Sequence, residues 1–180
     1  MIMKDQFETT TDFTNICNKI LDYLGRQDYS EAKLVEKVTN LKKYYPKTKR
    51  YDNYTSENVT RVIEELKKKG VMDEVKFLTR MLEAYLGREY GIRTIERKMR
   101  ERKYKKENIV EVIDSYRRSG SEFDYTKIEK VAVKKKEQWE KKYYDDKQKF
   151  YQIKTKLYVW LAQKGFESGE IKQIITRIYK

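Results

Sequence analysis

Tyr54-Thr55-Ser56-Glu57-Asn58-Val59-Thr60-Arg61-Val62-Ile63 and Tyr104-Lys105-Lys106-Glu107-Asn108-Ile109-Val110-Glu111-Val112-Ile113 are two writings of one helical phrase. Each runs on to a further apolar position, Leu66 and Tyr116, and each stops at a glycine, Gly70 and Gly120. A third copy lies near the end of the chain, with Phe166 in the tyrosine place and Ile171, Ile174, Ile175 and Ile178 in the apolar places. All three sets are spaced i, i+3, i+4, i+7, the stripe that one face of a helix presents to a core. Self-similarity of this kind predicts a repeat architecture.

Two periodic segments precede the first copy. Thr11 or Asp12 can cap a helix from about Phe13 that carries Phe13, Ile16, Ile20 and Leu24 and stops near Gly25. Ser30 caps a second with Leu34, Val38 and Leu41. Residues 42–53 interrupt the pattern, because Pro46 breaks a helix. Their five Lys/Arg and three Tyr make an exposed loop that either lengthens a connection or stacks on bases and contacts phosphates. Ser56 or Thr55 caps the third helix, and Gly70 suits the left-handed residue that closes one.

The second copy is preceded by Asp73-Glu74, acids suited to the positive end of a helix. Phe77, Leu78, Met81, Leu82, Tyr85 and Leu86 follow on a broad apolar face. After Gly87-Arg88-Glu89-Tyr90-Gly91 a helix turns Ile92, Ile95 and Met99 inward. Its other side shows Arg93, Arg97 and Arg100 at i, i+4, i+7, with Arg102 and Lys103 close behind. Glu96 and Glu101 fall off this stripe, which predicts an unneutralised surface for phosphates or an acidic partner. The third unit begins near Glu122, with Ile128, Val131, Ala132 and Trp139, and bends at Tyr143-Tyr144-Asp145-Asp146. A second helix carries Phe150, Ile153, Leu157, Trp160 and Leu161 to Lys164-Gly165, and Ser168 starts the last. Lys134-Lys135-Lys136 reads as solvated surface.

The expected fold is therefore all-α: a tail (1–12) and three tandem three-helix, helix-turn-helix-like repeats at 13–72, 73–121 and 122–180. With no low-complexity linker between them, they are expected to form one elongated, curved, solenoid-like stack. Composition agrees: 38% apolar and 39% charged residues with one proline and seven glycines over 180 residues suit stacked amphipathic helices.

The net charge of +13 is unevenly placed. Residues 1–40 hold five Lys/Arg against seven acids, whereas residues 127–164 hold twelve Lys against five acids. Such a body attracts nucleic acid or an acidic surface, unless the lysines serve solubility alone. With no histidine and one cysteine, Cys17, a Cys/His zinc site and a histidine base are excluded. Cys17, beside Ile16 and Ile20, reads as a small buried residue rather than a nucleophile. No phosphate-cradling glycine motif occurs. A cofactor-free, non-catalytic protein is expected. The longest apolar run is too short to span a membrane, and the first residues lack the apolar centre of a signal peptide, so a cytoplasmic monomer is expected.

Three phrases in order then resemble the RecX family of RecA modulators. They are Gly70-Val71-Met72-Asp73-Glu74-Val75-Lys76-Phe77; Arg88 and Gly91 followed by Ile95 and Met99; and Leu161-Ala162-Gln163-Lys164-Gly165-Phe166 with Ile171. The resemblance runs from about residue 13 to 180. Departures are Glu74 for a second Asp, Leu78 for a small residue, Met99 for Leu, Lys103-Tyr104 for a Gly-aromatic end, and the 42–53 insertion. The resemblance implies a regulator that docks on the RecA–DNA filament, lowers its ATPase, strand-exchange and coprotease activity, and so limits recombination, repair and the SOS response. Candidate RecA or DNA contacts are Arg88, Arg93, Arg97, Arg100, Arg102 and Lys103, with Lys105 and Lys106 in support. Gly70, Asp73, Glu74, Phe77, Gly91, Gly165 and Phe166 are motif residues expected to be structural. The alternatives are a helical-repeat protein that binds DNA or RNA directly, single- or double-stranded, and a pure protein scaffold.

Overall fold

The computed structural model describes residues 11–119 and 125–180, and among these it is helical with no strand. The expectations placed on residues 1–10, Gly120 and Glu122 lie outside the described residues. The first group is α1 (Thr11–Leu24), α2 (Glu31–Tyr44), a 3₁₀ turn (Lys49–Tyr51) and α3 (Ser56–Lys68). The middle helices are α4 (Glu74–Leu86), α5 (Ile92–Glu101) and α6 (Lys106–Arg118). The last group is α7 (Thr126–Lys142), the short α8 (Lys147–Tyr151), α9 (Ile153–Gln163) and α10 (Ser168–Ile178). Thr11 and Asp12 already belong to α1, so the expected tail loses its last two residues to the helix.

The chain forms two compact units. One comprises Met1–Thr79 with Met99–Glu111, the other Arg80–Lys98 with Val112–Lys180, so each middle helix contributes to both. In the first unit α1, α2 and α3 pack on one another around Ile16, Ile20, Leu34, Val38, Val59, Val62, Ile63 and Leu66. In the second, α7, α9 and α10 pack likewise around Ile128, Leu161, Phe166, Ile171, Ile174 and Ile175, with Ala132, Ile153 and Leu157 alongside. The phrase-opening aromatics Tyr54, Tyr104 and Phe166 are all buried.

Local chemistry sets the helix ends. Ser30 accepts from the Lys33 N–H (3.2 Å) and Thr55, rather than Ser56, from the Asn58 N–H (3.2 Å). Asp73 accepts from the Lys76 N–H (3.1 Å), and that backbone donor holds its carboxyl below the usual range. Gly70, at φ +69°, closes α3: its N–H reaches Lys67 O and the Val71 N–H reaches Leu66 O, both at 2.9 Å. These are the paired bonds of a Schellman turn.

Two expectations need correction. The helix read through Phe150 to Leu161 is broken: α8 ends where the Gln152 N–H turns back to Lys149 O, and α9 begins at Ile153. Phe150 consequently lies on the surface, at 40% exposure, not in the apolar row with Ile153 and Leu157. Cys17 is half-buried rather than buried, although burial still pushes its thiol up and disfavours the thiolate.

Residues 42–53 fold back on their own group. Lys42 pairs with Asp52, Arg50 donates to Asn15 Oδ1 (3.2 Å), and Asn53 donates to Asp12 Oδ2 (2.6 Å). Tyr45, Tyr51 and Tyr54 run ring to ring at 5.8 and 5.1 Å. Tyr44 and Tyr45 remain exposed.

Candidate interaction surface

The predicted contact residues are carried by α5 and the turns at its two ends. Arg93, Arg97 and Arg100 are exposed on this one continuous helix. Arg88, exposed in the turn before it, lies over the Tyr85 ring at 5.7 Å. Arg102, Lys103, Lys105 and Lys106 are exposed beyond it, Lys106 as the first residue of α6. Arg93 and Arg97 belong to the second compact unit and Arg100–Lys106 to the first.

Exposure is as the spacing predicts, but the surface is not unneutralised. Arg93 Nε lies 3.7 Å from Glu167, whose same oxygen lies 3.7 Å from Arg117. Lys103 pairs with Glu36 and Lys105 with Glu31, each at 2.8 Å. These acids come from α2 and from the residue ahead of α10, distant in sequence, so spacing along α5 could not reveal them. Arg93 keeps 67% of its side chain exposed, and pairs this open are worth little in water.

The two ends of α5 are built to hold it. At its C-terminal end Lys103 takes φ +63°, its N–H bonding Arg100 O (2.8 Å) and the Tyr104 N–H bonding Met99 O (3.3 Å). This is the same closing turn as at Gly70, made with a lysine. The start of α2 docks here: Ser30 Oγ donates to Arg102 O at 2.7 Å. Around it stands a set of carboxylates. Glu74, 5% exposed, accepts from the Glu31 N–H (2.6 Å) and from Asn108 (2.8 Å), yet burial dominates and pushes its carboxyl up. Burial also acts against ionised Glu31, but hydrogen bonds from Lys105 and Lys67 outweigh it and hold its carboxyl below the usual range. Glu36, bonded by Lys103 and Lys33, is held down to about 2.

At its N-terminal end α5 docks on the turn that closes α9. The Gly91 N–H donates to Lys164 O (3.0 Å) and the Arg93 N–H to Gly165 O (3.2 Å). Gly165 sits at φ +94°. A Cβ on Gly91 would fall 2.3 Å from Gly165 C, and one on Gly165 would fall 2.4 Å from the Thr94 nitrogen. Only glycine fits on either side. Glu74, Gly91 and Gly165 thus position helices, as Phe77, buried in α4, and Phe166 fill cores. No group of three metal-ligating side chains stands together among the described residues, and no described helix is long and apolar enough to cross a membrane.

Residues 136–175, which run from mid-α7 into α10, match the family model described as RecX, third three-helix domain. No curated protein and no solved structure matches the chain. The matched segment contains Leu161-Ala162-Gln163-Lys164-Gly165-Phe166, the phrase whose Gly165 receives α5. The likeness is to that one domain and covers 40 of the 180 residues.

Proposed function

We propose that the protein is a non-catalytic, cytoplasmic regulator that binds the RecA–DNA filament and lowers its ATPase, strand-exchange and coprotease activity. Recombination, DNA repair and the SOS response would be restrained in consequence. The reading draws on the family match together with one observation: Arg93, Arg97 and Arg100 are exposed on one helix clamped at both ends. Arginine is the cation of choice for carboxylate or phosphate recognition at an interface, because its planar fork bonds both oxygens. A clamped helix presents that fork with little ordering cost. Arg88, Arg102, Lys103, Lys105 and Lys106 extend the surface, the two paired lysines exchanging a weak internal partner for an external one.

The test is the ATPase rate of preassembled RecA–single-stranded-DNA filaments as the protein is titrated in, beside an Arg93/Arg97/Arg100→Ala variant. Inhibition by the wild type that fades in the variant is expected. Equal inhibition would keep the function and move the site; no inhibition of cognate RecA by a folded protein would sink the reading.

A further inference from the structure

The lysines of the last helical group are not simply solvated. Lys142 and Lys156 both lie over the Tyr143 ring, at 5.6 and 3.9 Å from its centroid. Lys136 and Lys154, from α7 and α9, both lie over Tyr179, at 4.6 and 5.6 Å, and Lys135 lies over Trp139 at 5.2 Å. Trp139 and Tyr143 are packed on the core formed by Ala132, Ile153 and Leu157, so these two rings are held in place under Lys135, Lys142 and Lys156. Lys154 also lines a groove of about 380 Å³ between α9 and α10, with Thr155, Tyr158, Lys172, Ile175 and Thr176. Its lining contains two ammonium groups, three hydroxyls and no carboxylate. The groove between α7 and α10 differs: it holds Glu129 and Glu137 among its cations, and Glu129 is bonded to Arg177 at 2.9 Å. The nearby acids of the ring cluster are engaged, Glu140 with Lys136 (3.6 Å) and Asp146 with Lys149 (2.7 Å).

We infer that this lysine–hydroxyl groove is a second binding site, for the phosphodiester backbone of nucleic acid, separate from the α5 arginines. Phosphate oxygens are contacted by lysine, threonine and tyrosine donors without reference to base sequence. The choice of cation separates the two surfaces. Residues 127–164 contain twelve lysines and no arginine, while the α5 surface is led by arginines. Lysine is depleted and arginine enriched in protein–protein interfaces, so an acidic protein suits the lysine groove poorly. A row of point charges that displaces counterions from a polyanion suits it well. The site does not depend on the filament reading, and its test contains no RecA.

The experiment measures binding of the full chain to a labelled thymidine oligonucleotide and to a mixed-sequence duplex, across about 50 to 200 mM salt. Wild type is compared with Lys154→Gln/Lys172→Gln, with Arg93/Arg97/Arg100→Ala and with the two combined, each checked for an unchanged helical spectrum. Both lysines are exposed, so the double variant is expected to fold. It should lower the log–log salt slope by about 1.8 units on duplex and about 1.4 on the single strand, two phosphate contacts' worth. The same drop should appear when the two lysines are changed in the arginine-variant background. An unchanged slope in the lysine variant, or no binding by the wild type, overturns the site. So does a lysine effect that vanishes in the arginine-variant background, which would merge the two surfaces. Displacement by polyglutamate as readily as by the oligonucleotide overturns the phosphate assignment in favour of an acidic protein.

Discussion

Two joints in the molecule do the same work with different chemistry. At one, the start of α2 meets the turn that closes α5; at the other, the start of α5 meets the turn that closes α9. Both turns have the same pair of backbone bonds and a left-handed residue, Lys103 in the first and Gly165 in the second. The first joint is made by side chains: Ser30 bonds Arg102 O, and Glu31, Glu36 and Glu74 tie in Lys105, Lys103 and Asn108. The second is made by backbone, two N–H···O bonds across facing glycines with no room for a Cβ, and the exposed Arg93–Glu167 pair beside them adds little. Steric joints tolerate no substitution but ignore pH and salt. A side-chain joint tolerates change and carries charge.

The largest expected difference follows directly. Gly165→Ala puts a methyl into the Thr94 backbone and forces an alanine to hold φ +94°, so it should cost about 3 kcal/mol or more. Ser30→Ala, on the helix start that enters the other joint, removes a cap and a buried bond for about 1–2 kcal/mol. Urea unfolding midpoints of the two variants measure this. Equal costs, or a larger one at Ser30, would break the contrast.

The next effect has the opposite sign. Lys103 is a lysine in a glycine's place, and Lys103→Gly relieves about 1–2 kcal/mol of left-handed backbone strain. It gives back part through a freer unfolded chain and the loss of an exposed pair with Glu36, leaving a net gain of about 0.5 kcal/mol. If Lys103 also contacts the filament, the stabilised variant should inhibit RecA less well. A variant no more stable than the wild type and fully inhibitory would show that the lysine is neither a strain nor a contact.

The sequence made one half of each joint legible and not the other. The apolar stripes, the Gly70 stop and the Ser30 and Asp73 caps are local, written within a few residues of where they act. Gly91 and Gly165 stood out as phrase residues, but their reason is each other, 74 positions apart. Ser30 read as a cap; its bond to Arg102 spans 72 positions. The arginine stripe was visible in its spacing, while Glu167, which lies beside Arg93, arrives from another helix start. The same limit hid the lysine groove. Lys134-Lys135-Lys136 looked solvated because Tyr179, which receives Lys136 and Lys154, is brought there by packing of α10 on α7 and α9. Phe150 was misplaced for a nearer reason, a one-residue break at Gln152 that no proline or glycine announces.

The smallest effect is the pH dependence that only the charged joint should show. Glu36 is held below its ordinary 4.5, at about 2, by Lys103 and Lys33, and Glu31 is shifted the same way. A depressed carboxyl contributes stability that is present above its unfolded value and lost as pH falls through its folded one. Glu74 runs the other way: raised by burial, its contribution is present at low pH and lost as pH rises through its folded value. Between pH 4.5 and about 2, then, Glu36 and Glu31 loosen the α2 start while Glu74, already protonated, does not. Amide exchange corrected for its intrinsic rate is the measurement. The Lys33 amide, bonded to Ser30, should lose protection across that window, and Gly91 and Arg93, bonded to backbone carbonyls, should keep theirs. Glu36→Gln should flatten the Lys33 response, because the titrating partner of Lys103 is gone. Equal loss at both joints would mean that the carboxylates do not set the acid response, and that the side-chain joint is held by Ser30 alone.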